Sequence, residues 1–582
     1  MSQPDITKLR HSAAHLLAMA VVSLYKDAKL GTCGVSDTGF HYDIEFDEPL
    51  GSDELAAIQA KMLELSTQNL PFTTQVKSKE EVEAYFANLE QPYKREIIND
   101  SKSKRVDLVV IGDNKFADMC VDGVVPTTAL LEHVLLTDVS GAYWKGDDKR
   151  SMLSRISGVC FFTQSDLDDY VEFQAELQRR DHRNLGKKLG FFSVDPDVGT
   201  GLVFWHPRGA YVKEAITNSL RHHITELKAD FVETPSLSIL NQMPVVQQPQ
   251  AEQVIAKNQY EEGDKWYALR QQSVGAHILQ FGWKDRSYRD LPWRVAEIGK
   301  YIRYEKLSEL DGLHRSREFT QDTVTTICTR DQVEREVEAL VLHEVQFLRE
   351  LGLNDIDIQL NQPIFDTKNQ RQDSLFISGI IKGIARRASI SITENSADPE
   401  ISEPELLFKA KDSLKQKRGL GKIQIMLDLP FASQLSYAGK DGGQHVPVLI
   451  RTTFAGSIER LISTLLEHYA GVLPLWMTFE QVRILPVTNK QEMYADKIVK
   501  QLQEFGIRVT LDADAEPLEG KIKQAEEDKV PYMLIVGEKE QSTATVSVRI
   551  QGKGDIGLIS LDSFIREIQR EVAAKSIKTM LV

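Results

Sequence analysis

The chain has 582 residues, with 70 lysines and arginines against 85 aspartates and glutamates and a formal net charge of −15. That length exceeds what one hydrophobic core serves and predicts about three or four domains. The acidic total argues against a surface that coats nucleic acid throughout, yet a local basic groove on an acidic body is compatible with it. Cys33, Cys120, Cys160 and Cys328 are scattered with no CxxC pair, which points to a reducing interior rather than a disulfide scaffold. No stretch reaches the roughly 20 apolar residues that span a bilayer. The opening MSQPDITKLRHSAAHLLAMAVVSLY carries His15 and lacks a basic leader and a small-residue cleavage site. It is read as a folded helix, and a cytoplasmic location without membrane partners is expected.

After this helix, GTCGVSDTGFHYDIEF has a Gly-punctuated strand pattern and SDELAAIQAKMLELSTQ reads as a helix, an α+β signature extending to about residue 165. DLDDYVEFQAELQRRDHRNLGKKLGFF predicts one long connecting helix over 166–190, stopped by Gly186 and Gly190 and ending in the basic run Arg179, Arg180, Arg183, Lys187 and Lys188. A strand and turn then lead into an amphipathic helix around AYVKEAITNSLRHHITEL, and DFVETPSLSIL reads as a strand broken at Pro235. DQVEREVEALVLHEVQFLRELGL is a strong helix with Gly352 at its end. KIQIMLDLP and VPVLIRTTF are strands, and AGSIERLISTLLEHYAG is a helix with Ser457 and Arg460 at its start. These antiparallel signals predict a large α+β domain over 191–475. From 476 to 582, strands alternate with helices as in a small α/β domain.

The stretch YIRYEKLSELDGLHRSREFTQD, residues 301–322, reads as a hairpin. Alternation along its strands puts Arg303 with Glu305, and Arg315 with Arg317 and Phe319, on one surface. Planar guanidinium groups make paired, charge-assisted hydrogen bonds to phosphate oxygens, and a phenylalanine beside them is placed to stack on a base. A merely solvated, charge-rich hairpin is the rival reading. His11 and His15, four apart, share one helical face.

Three separated patterns, TPSL at 234–237, the arginine hairpin at 301–322 and GSIER at 456–460, resemble motifs 1, 2 and 3 of class II aminoacyl-tRNA synthetases. HSAAHLL, GFHYD, FADMC, GAYWKGD, RDHRNLGKKLGFF, GLVFWHP, SYRDLPWRVAEIG, REFTQD, VPYMLIVGEKE and KSIK resemble the threonyl-tRNA synthetase family in the expected order. The resemblance covers nearly the whole chain, beginning at the family's second N-terminal domain without its ubiquitin-like leading domain. It implies an editing-like domain over 1–165, a connecting helix over 166–190, an antiparallel class II catalytic sheet over 191–475 and an α/β anticodon-binding-like domain over 476–582. It also implies ATP and Mg²⁺ as cofactors, tRNA as partner, a small amino acid or related acid as substrate, and a homodimer built on motif 1. In this reading Arg303 holds the α-phosphate, Glu305 the adenine amino group and Arg315 the terminal phosphates. Adenine lies between Phe319 and Arg460, and Gln424 sits near the nucleotide. Arg303, Arg315 and Arg460 are the catalytic set, since fixed cations stabilise charge that develops on the phosphate oxygens.

The amino-acid side departs from the family, which holds a threonine-reading zinc with one cysteine and two histidines. Here those positions are Val274, Thr325 and Arg451, so zinc is not expected. An aspartate becomes Thr323, and a tyrosine-glycine-proline-lysine stretch corresponds to SEPE around Ser402–Glu405. Recognition of the acid is therefore assigned to hydrogen bonds from Gln321, Thr323, Thr325 and Ser457. In the N-terminal domain His11, His15 and Cys120 match an ester-hydrolysing editing site whose fourth member is Val124 here. Anticodon reading is weakened by Asp512, Asp514 and Glu516, while Lys521, Lys523 and Arg549 remain to track a backbone. Two other readings stay open: a non-catalytic paralogue that binds nucleotide or tRNA, and transfer of the activated acid to an amine or carrier protein.

Overall fold

The structure is a computed structural model that describes residues 5–48, 50–119, 123–239, 255–257, 266–270, 272–364, 368–399, 401 and 403–581. Its contacts divide the chain into two units, Met1–Glu176 and Leu177–Val582.

In the first unit, helix Ile6–Leu24 begins at Asp5, whose carboxylate accepts the Thr7 N–H at 3.1 Å, a side-chain cap for an otherwise orphan donor. The run from Leu9 to Val21 is buried along its length, packing against Tyr42, Ile44 and Ile58. The apolar opening is thus a core helix. An antiparallel sheet orders the strands Lys29–Val35, Phe40–Glu45, Met152–Phe161 and His133–Tyr143. A second, three-stranded sheet joins Phe72–Ser78, Arg105–Ile111 and Phe116–Met119.

The expected single connecting helix is two: Gln164–Arg180 and His182–Lys188. Asp181 breaks it because its carboxylate caps the second piece through the Arg183 N–H at 2.7 Å. Gly186 is no stop signal. It lies inside the second helix, where a Cβ would come within 2.2 Å of the Phe192 ring, so glycine serves a close approach. Gly190, at φ +67°, is the residue that ends the helix.

The second unit is organised by a sheet in the order Asp230–Phe231, Trp293–Ile302, Glu318–Cys328, Val448–Thr453, Lys417–Met426, Glu405–Lys411, Asp355–Asn361, Ile392–Glu394. All pairings between Trp293–Ile302 and Asp355–Asn361 are antiparallel. Helices Pro207–Glu226, Val333–Glu350, Lys368–Ala388 and Ile458–His468 pack against it around a core that includes Ile216, Leu340, Ile384 and Leu461. The proposed hairpin is shorter than its sequence suggests. Ladder pairing runs from Trp293↔Ile327 to Ile302↔Glu318, and 303–317 forms a loop with a short turn of helix at Leu307–Glu309. Arg303 N–H still bonds Arg317 C=O at 2.9 Å, but Asp311 to Arg315 closes a tight turn through a single bridge.

Near the C-terminus, Val509–Leu511, Val482–Pro486 and Tyr532–Val536 run parallel, as alternating strand and helix require. Thr545–Ile550 and Gly554–Ser560 then add an antiparallel hairpin to the same sheet.

Candidate active site

Strand Glu318–Cys328 is buried on both faces, and alternation divides its work. Asp322 points to one face, where its carboxylate accepts the Phe454 and Ala455 N–H groups at 2.6 and 2.9 Å. Those bonds fix the entry to helix Ile458–His468, whose N-cap Ser457 accepts the Arg460 N–H at 3.3 Å. Burial pushes Asp322 up to about 6, against the pull of the two amides. The opposite face carries Phe319 and Gln321 into a cleft of about 500 Å³. Arg303, Glu305, Arg315, Gln424, Ser457 and Arg460 line the same cleft, together with His314, Lys422 and Arg451.

Electrostatically this is a cationic recess. Burial in the cleft lowers the pKa of Arg303, Glu305 offsets this, and the charges of Arg460 and Arg315 lower it further. Arg460 is lowered by burial and then by Arg315, with Glu305 opposing and Arg418 adding to the lowering. Guanidinium groups held in one another's fields are stabilised by a polyanion placed among them. Part of that demand is met internally. The Glu305 carboxylate accepts Arg315 Nε at 2.7 Å, and Glu309 accepts Arg315 Nη2 at 3.1 Å. The Arg303 guanidinium lies 4.8 Å over the Phe319 ring, whose other neighbour is Tyr301, stacked at 6.1 Å.

A polar cluster beneath the 303–317 loop, which sequence reasoning missed, holds it in place. Glu467 accepts His182 Nδ1 at 2.8 Å, His314 Nε2 at 3.1 Å and Arg418 Nη2 at 2.9 Å. His182 Nε2 accepts the Leu313 N–H at 3.0 Å, and the His314 carbonyl accepts Arg460 Nε at 3.1 Å. Burial pushes Glu467 up, but the hydrogen bonds and charges of His182 and His314 outweigh it and hold the carboxyl well below its usual range. The only sequence signal was the histidine of RDHRNLG, far from its partners in the chain.

Two of the expected pocket residues lie outside this cleft. Thr323 and Thr325 are fully buried, and the Thr325 hydroxyl is 2.8 Å from His277 Nδ1. Arg317 does not line the cleft: its Nε is buried, and its backbone N–H bonds Gly201 C=O at 2.9 Å. Ser402 lies outside the described residues. Neighbouring Glu405 is buried against Lys422 Nζ at 2.9 Å and Gln424 Nε2 at 3.2 Å.

In the first unit His11 and His15 face each other with ring centroids 5.0 Å apart. His15 Nδ1 meets Asp118 at 2.9 Å, and the same carboxylate takes Tyr42 Oη at 2.6 Å and Lys94 Nζ at 2.6 Å. Burial pushes Asp118 up, but Lys94 and His15 hold it below the carboxylate range. Asp118, Tyr42 and Lys94 are additions to the sequence reading; the first two lay inside FADMC and GFHYD. Cys120 lies outside the described residues. Cys33 Sγ is 3.9 Å from His11 Nε2, and Val124 packs against the core. Near the C-terminus, Lys521 is buried, its Nζ bonded to the Asp512 carbonyl at 2.9 Å, which removes it as a backbone contact. Arg549 is paired with Glu526 at 3.0 Å and Lys523 is exposed.

Residues 256–469 match the tRNA synthetase class II core domain (G, H, P, S and T), and residues 481–571 match an anticodon binding domain. The chain is 36% identical over 587 residues to a threonine–tRNA ligase of Thermus thermophilus, covering 97% of this chain and 88% of the relative. It belongs to the threonine–tRNA ligase family. An Arabidopsis thaliana threonine–tRNA ligase, chloroplastic/mitochondrial 2, is 34% identical across 99% of this chain and 88% of its own length. The crystal structure of the RNA binding domain of a threonyl-tRNA synthetase from Cryptosporidium parvum matches with a TM-score of 0.61 at 26% identity, covering 69% of this chain and all of that one.

Family membership raises the question of zinc. Val274 is a fully buried aliphatic side chain, the Thr325 hydroxyl is engaged by His277, and Arg451 is a guanidinium. Burial lowers Arg451 to about 10, still cationic at neutral pH. Zinc asks for thiolate, imidazole or carboxylate lone pairs, and a fixed positive charge at the third position repels a dication. The residues present do not fit the metal.

Proposed function

We propose that this chain activates a carboxylic acid with ATP and passes the acyl group to the 3′ end of a tRNA, using an acid pocket without zinc. The observation that carries the reading is the meeting of Arg303, Arg315 and Arg460 with Phe319 and Glu305 in one cleft of an antiparallel sheet. Arg303 takes the α-phosphate and Arg315 the terminal phosphates. Adenine enters between Phe319 and Arg460, displacing the Arg303 guanidinium that now covers Phe319. Glu305 turns from Arg315 to the adenine amino group as Arg315 turns to phosphate. Charge that builds on the phosphate oxygens during attack meets cations already in place. Magnesium asks for oxygen donors and keeps mostly phosphate and water around it. The carboxamide of Gln321 offers that chemistry, and the ion would share in charge neutralisation.

Gln321 and Ser457 face the acid from the cleft wall, while Thr323 and Thr325 act from behind it through the Tyr301 and His277 positions. The four-part division at 165, 190 and 475, a homodimer through motif 1, a cytoplasmic location and ester hydrolysis by His11, His15 and Cys120 belong to the same reading. Pyrophosphate exchange into ATP across a panel of carboxylic acids tests it. Exchange with at least one acid is expected, and silence with all of them would refute activation.

A second reading, nucleotide or tRNA binding without turnover, draws on the internal pairing of Arg315 with Glu305 and Glu309. It predicts ATP binding with no exchange. Transfer to a non-tRNA acceptor draws on Asp512, Asp514 and Glu516, which repel a phosphate backbone.

A further inference from the structure

Arg451 stands on strand Val448–Thr453, opposite Thr325 on one side and Gln424 on the other, and lines the cleft beside Gln321. Among the described residues its hydrogen bonding is limited to Nη1 with the Gln424 carboxamide oxygen at 3.2 Å, and its Nε is buried without a partner. No described carboxylate forms an ion pair with it. Asp322, on the opposite face of the sheet, is committed to Phe454 and Ala455, and Glu405 is committed to Lys422 and Gln424. A half-buried guanidinium whose Nε is buried without a partner is costly unless a ligand completes its shell. The hydroxyls of Tyr301, Ser273 and Thr323 are buried together behind the cleft.

The missing ligand's chemistry follows from the donor inventory. A guanidinium only donates, so it cannot accept from an ammonium, whereas a carboxylate matches its fork with two parallel bonds. The rest of the lining agrees. Arg303, Arg315, Lys422, Arg451 and Arg460 face the cleft, and Glu305, its sole carboxylate among the described residues, is held by Arg315. No lining carboxylate stands near Arg451 to receive an α-ammonium.

We propose that the acid activated here is a small dicarboxylic acid whose second carboxylate docks on Arg451. This rests on the activation reading above. One carboxylate oxygen of the acid attacks the α-phosphorus, the α–β phosphoanhydride bond breaks, pyrophosphate leaves with the bonding pair, and an acyl-adenylate forms. The second carboxylate keeps its charge and stays on Arg451.

The test compares L-aspartate, L-malate and succinate with L-asparagine, succinamate, L-threonine and L-valine in pyrophosphate exchange. Calorimetric binding of the same acids to the full chain with a non-hydrolysable ATP analogue runs alongside. A dicarboxylate is expected to exceed its own monoamide by about 10²-fold in kcat/KM, the range set by truncating one partner of a buried charge pair. R451M removes that preference and R451K keeps part of it; analogue binding by both variants reports that the cleft has folded. Exchange led by threonine or valine, with R451M unaffected, overturns the proposal and upholds activation. Dicarboxylate binding that R451M abolishes, without exchange, upholds the subsite and refutes activation. Neither binding nor exchange with any acid refutes both.

Discussion

Replacing Glu467 with alanine tests whether the motif 2 loop is held from below. The carboxylate accepts from His182, His314 and Arg418 at 2.8, 3.1 and 2.9 Å. Removing one member of a buried charged cluster costs about 3–5 kcal/mol. Arg418, whose side chain is 30% exposed, rehydrates in part, so we expect about 2–4 kcal/mol here. The effect reaches the cleft because the His314 carbonyl holds Arg460 Nε and the Leu313 N–H is held by His182. A misplacement of about 1 Å at a reacting centre costs on the order of 10²-fold in rate, and the KM for ATP should rise with it. E467Q, which keeps one acceptor, should lose less, about 1–2 kcal/mol.

Urea unfolding and exchange kinetics read both effects. The sign with pH is fixed: Glu467 is depressed in the folded state, so its stabilisation is fully present above its ordinary value of 4.5 and is lost as pH falls from there toward the folded value. E467A should therefore flatten the acid limb of stability against pH. A variant within about 0.5 kcal/mol of the parent, with unchanged KM for ATP and an unchanged acid limb, would refute the reasoning.

F319L keeps apolar volume but loses the aromatic face; a stack worth about 1–3 kcal/mol implies a KM for ATP about 10-fold or more higher, and an unchanged value places adenine elsewhere. R315A should cost under about 1 kcal/mol of stability, because its ion pairs are exposed enough to be screened, yet weaken ATP binding strongly; the reverse ranking, seen by denaturation and titration, would make Arg315 structural. In the first unit D118N should reduce hydrolysis of a preformed aminoacyl ester as far as H15A does, about 10²-fold or more; hydrolysis that survives both variants dismisses the histidine site. Metal analysis must separate the acid pocket from three other donor groups, His11–His15–Cys33, His182–His314–Glu467 and His223–Glu226–His343, each within 4.8 Å. With His11 and His15 replaced in one variant, His182 and His314 in a second and His223 and His343 in a third, zinc in the acid pocket would have to persist in all three, and no such zinc is expected.

What the sequence disclosed was what lies close along the chain. Arg303, Glu305, Arg315 and Phe319 fall within one short stretch, so spacing grouped them, while Ser457 and Arg460 joined them only through the resemblance to motif 3. Helix Val333–Glu350 and the strands Lys417–Met426 and Val448–Thr453 follow from local periodicity. The support beneath them did not show, because His182, His314 and Glu467 are joined across 153 and 285 positions, and no local pattern marks a histidine as a hydrogen-bond hub. Gly186 misled for a related reason. A glycine demanded by packing against Phe192 looks, in sequence, like one that ends a helix. Thr323 and Thr325 share a strand face with Phe319 and Gln321, but alternation gives the face and not the depth, and the Thr325 hydroxyl is taken by His277.

The two halves of the cleft have answered the same physical demand differently. On the nucleotide side, cations wait in one another's fields and are quieted by Glu305, Glu309 and the Phe319 ring, all groups that a triphosphate and a base can displace. On the acid side, Arg451 has one carboxamide as its hydrogen-bond partner and feels the charges of Asp322 and Glu405 without an ion pair to either among the described residues. A metal there would have drawn lone pairs from an amine or a hydroxyl; a guanidinium draws them from an anion and excludes another cation. In the proposed reading this change redirects what the pocket selects while the cations assigned to ATP keep their places, at a position where the neighbouring strands Glu318–Cys328 and Lys417–Met426 flank the side chain.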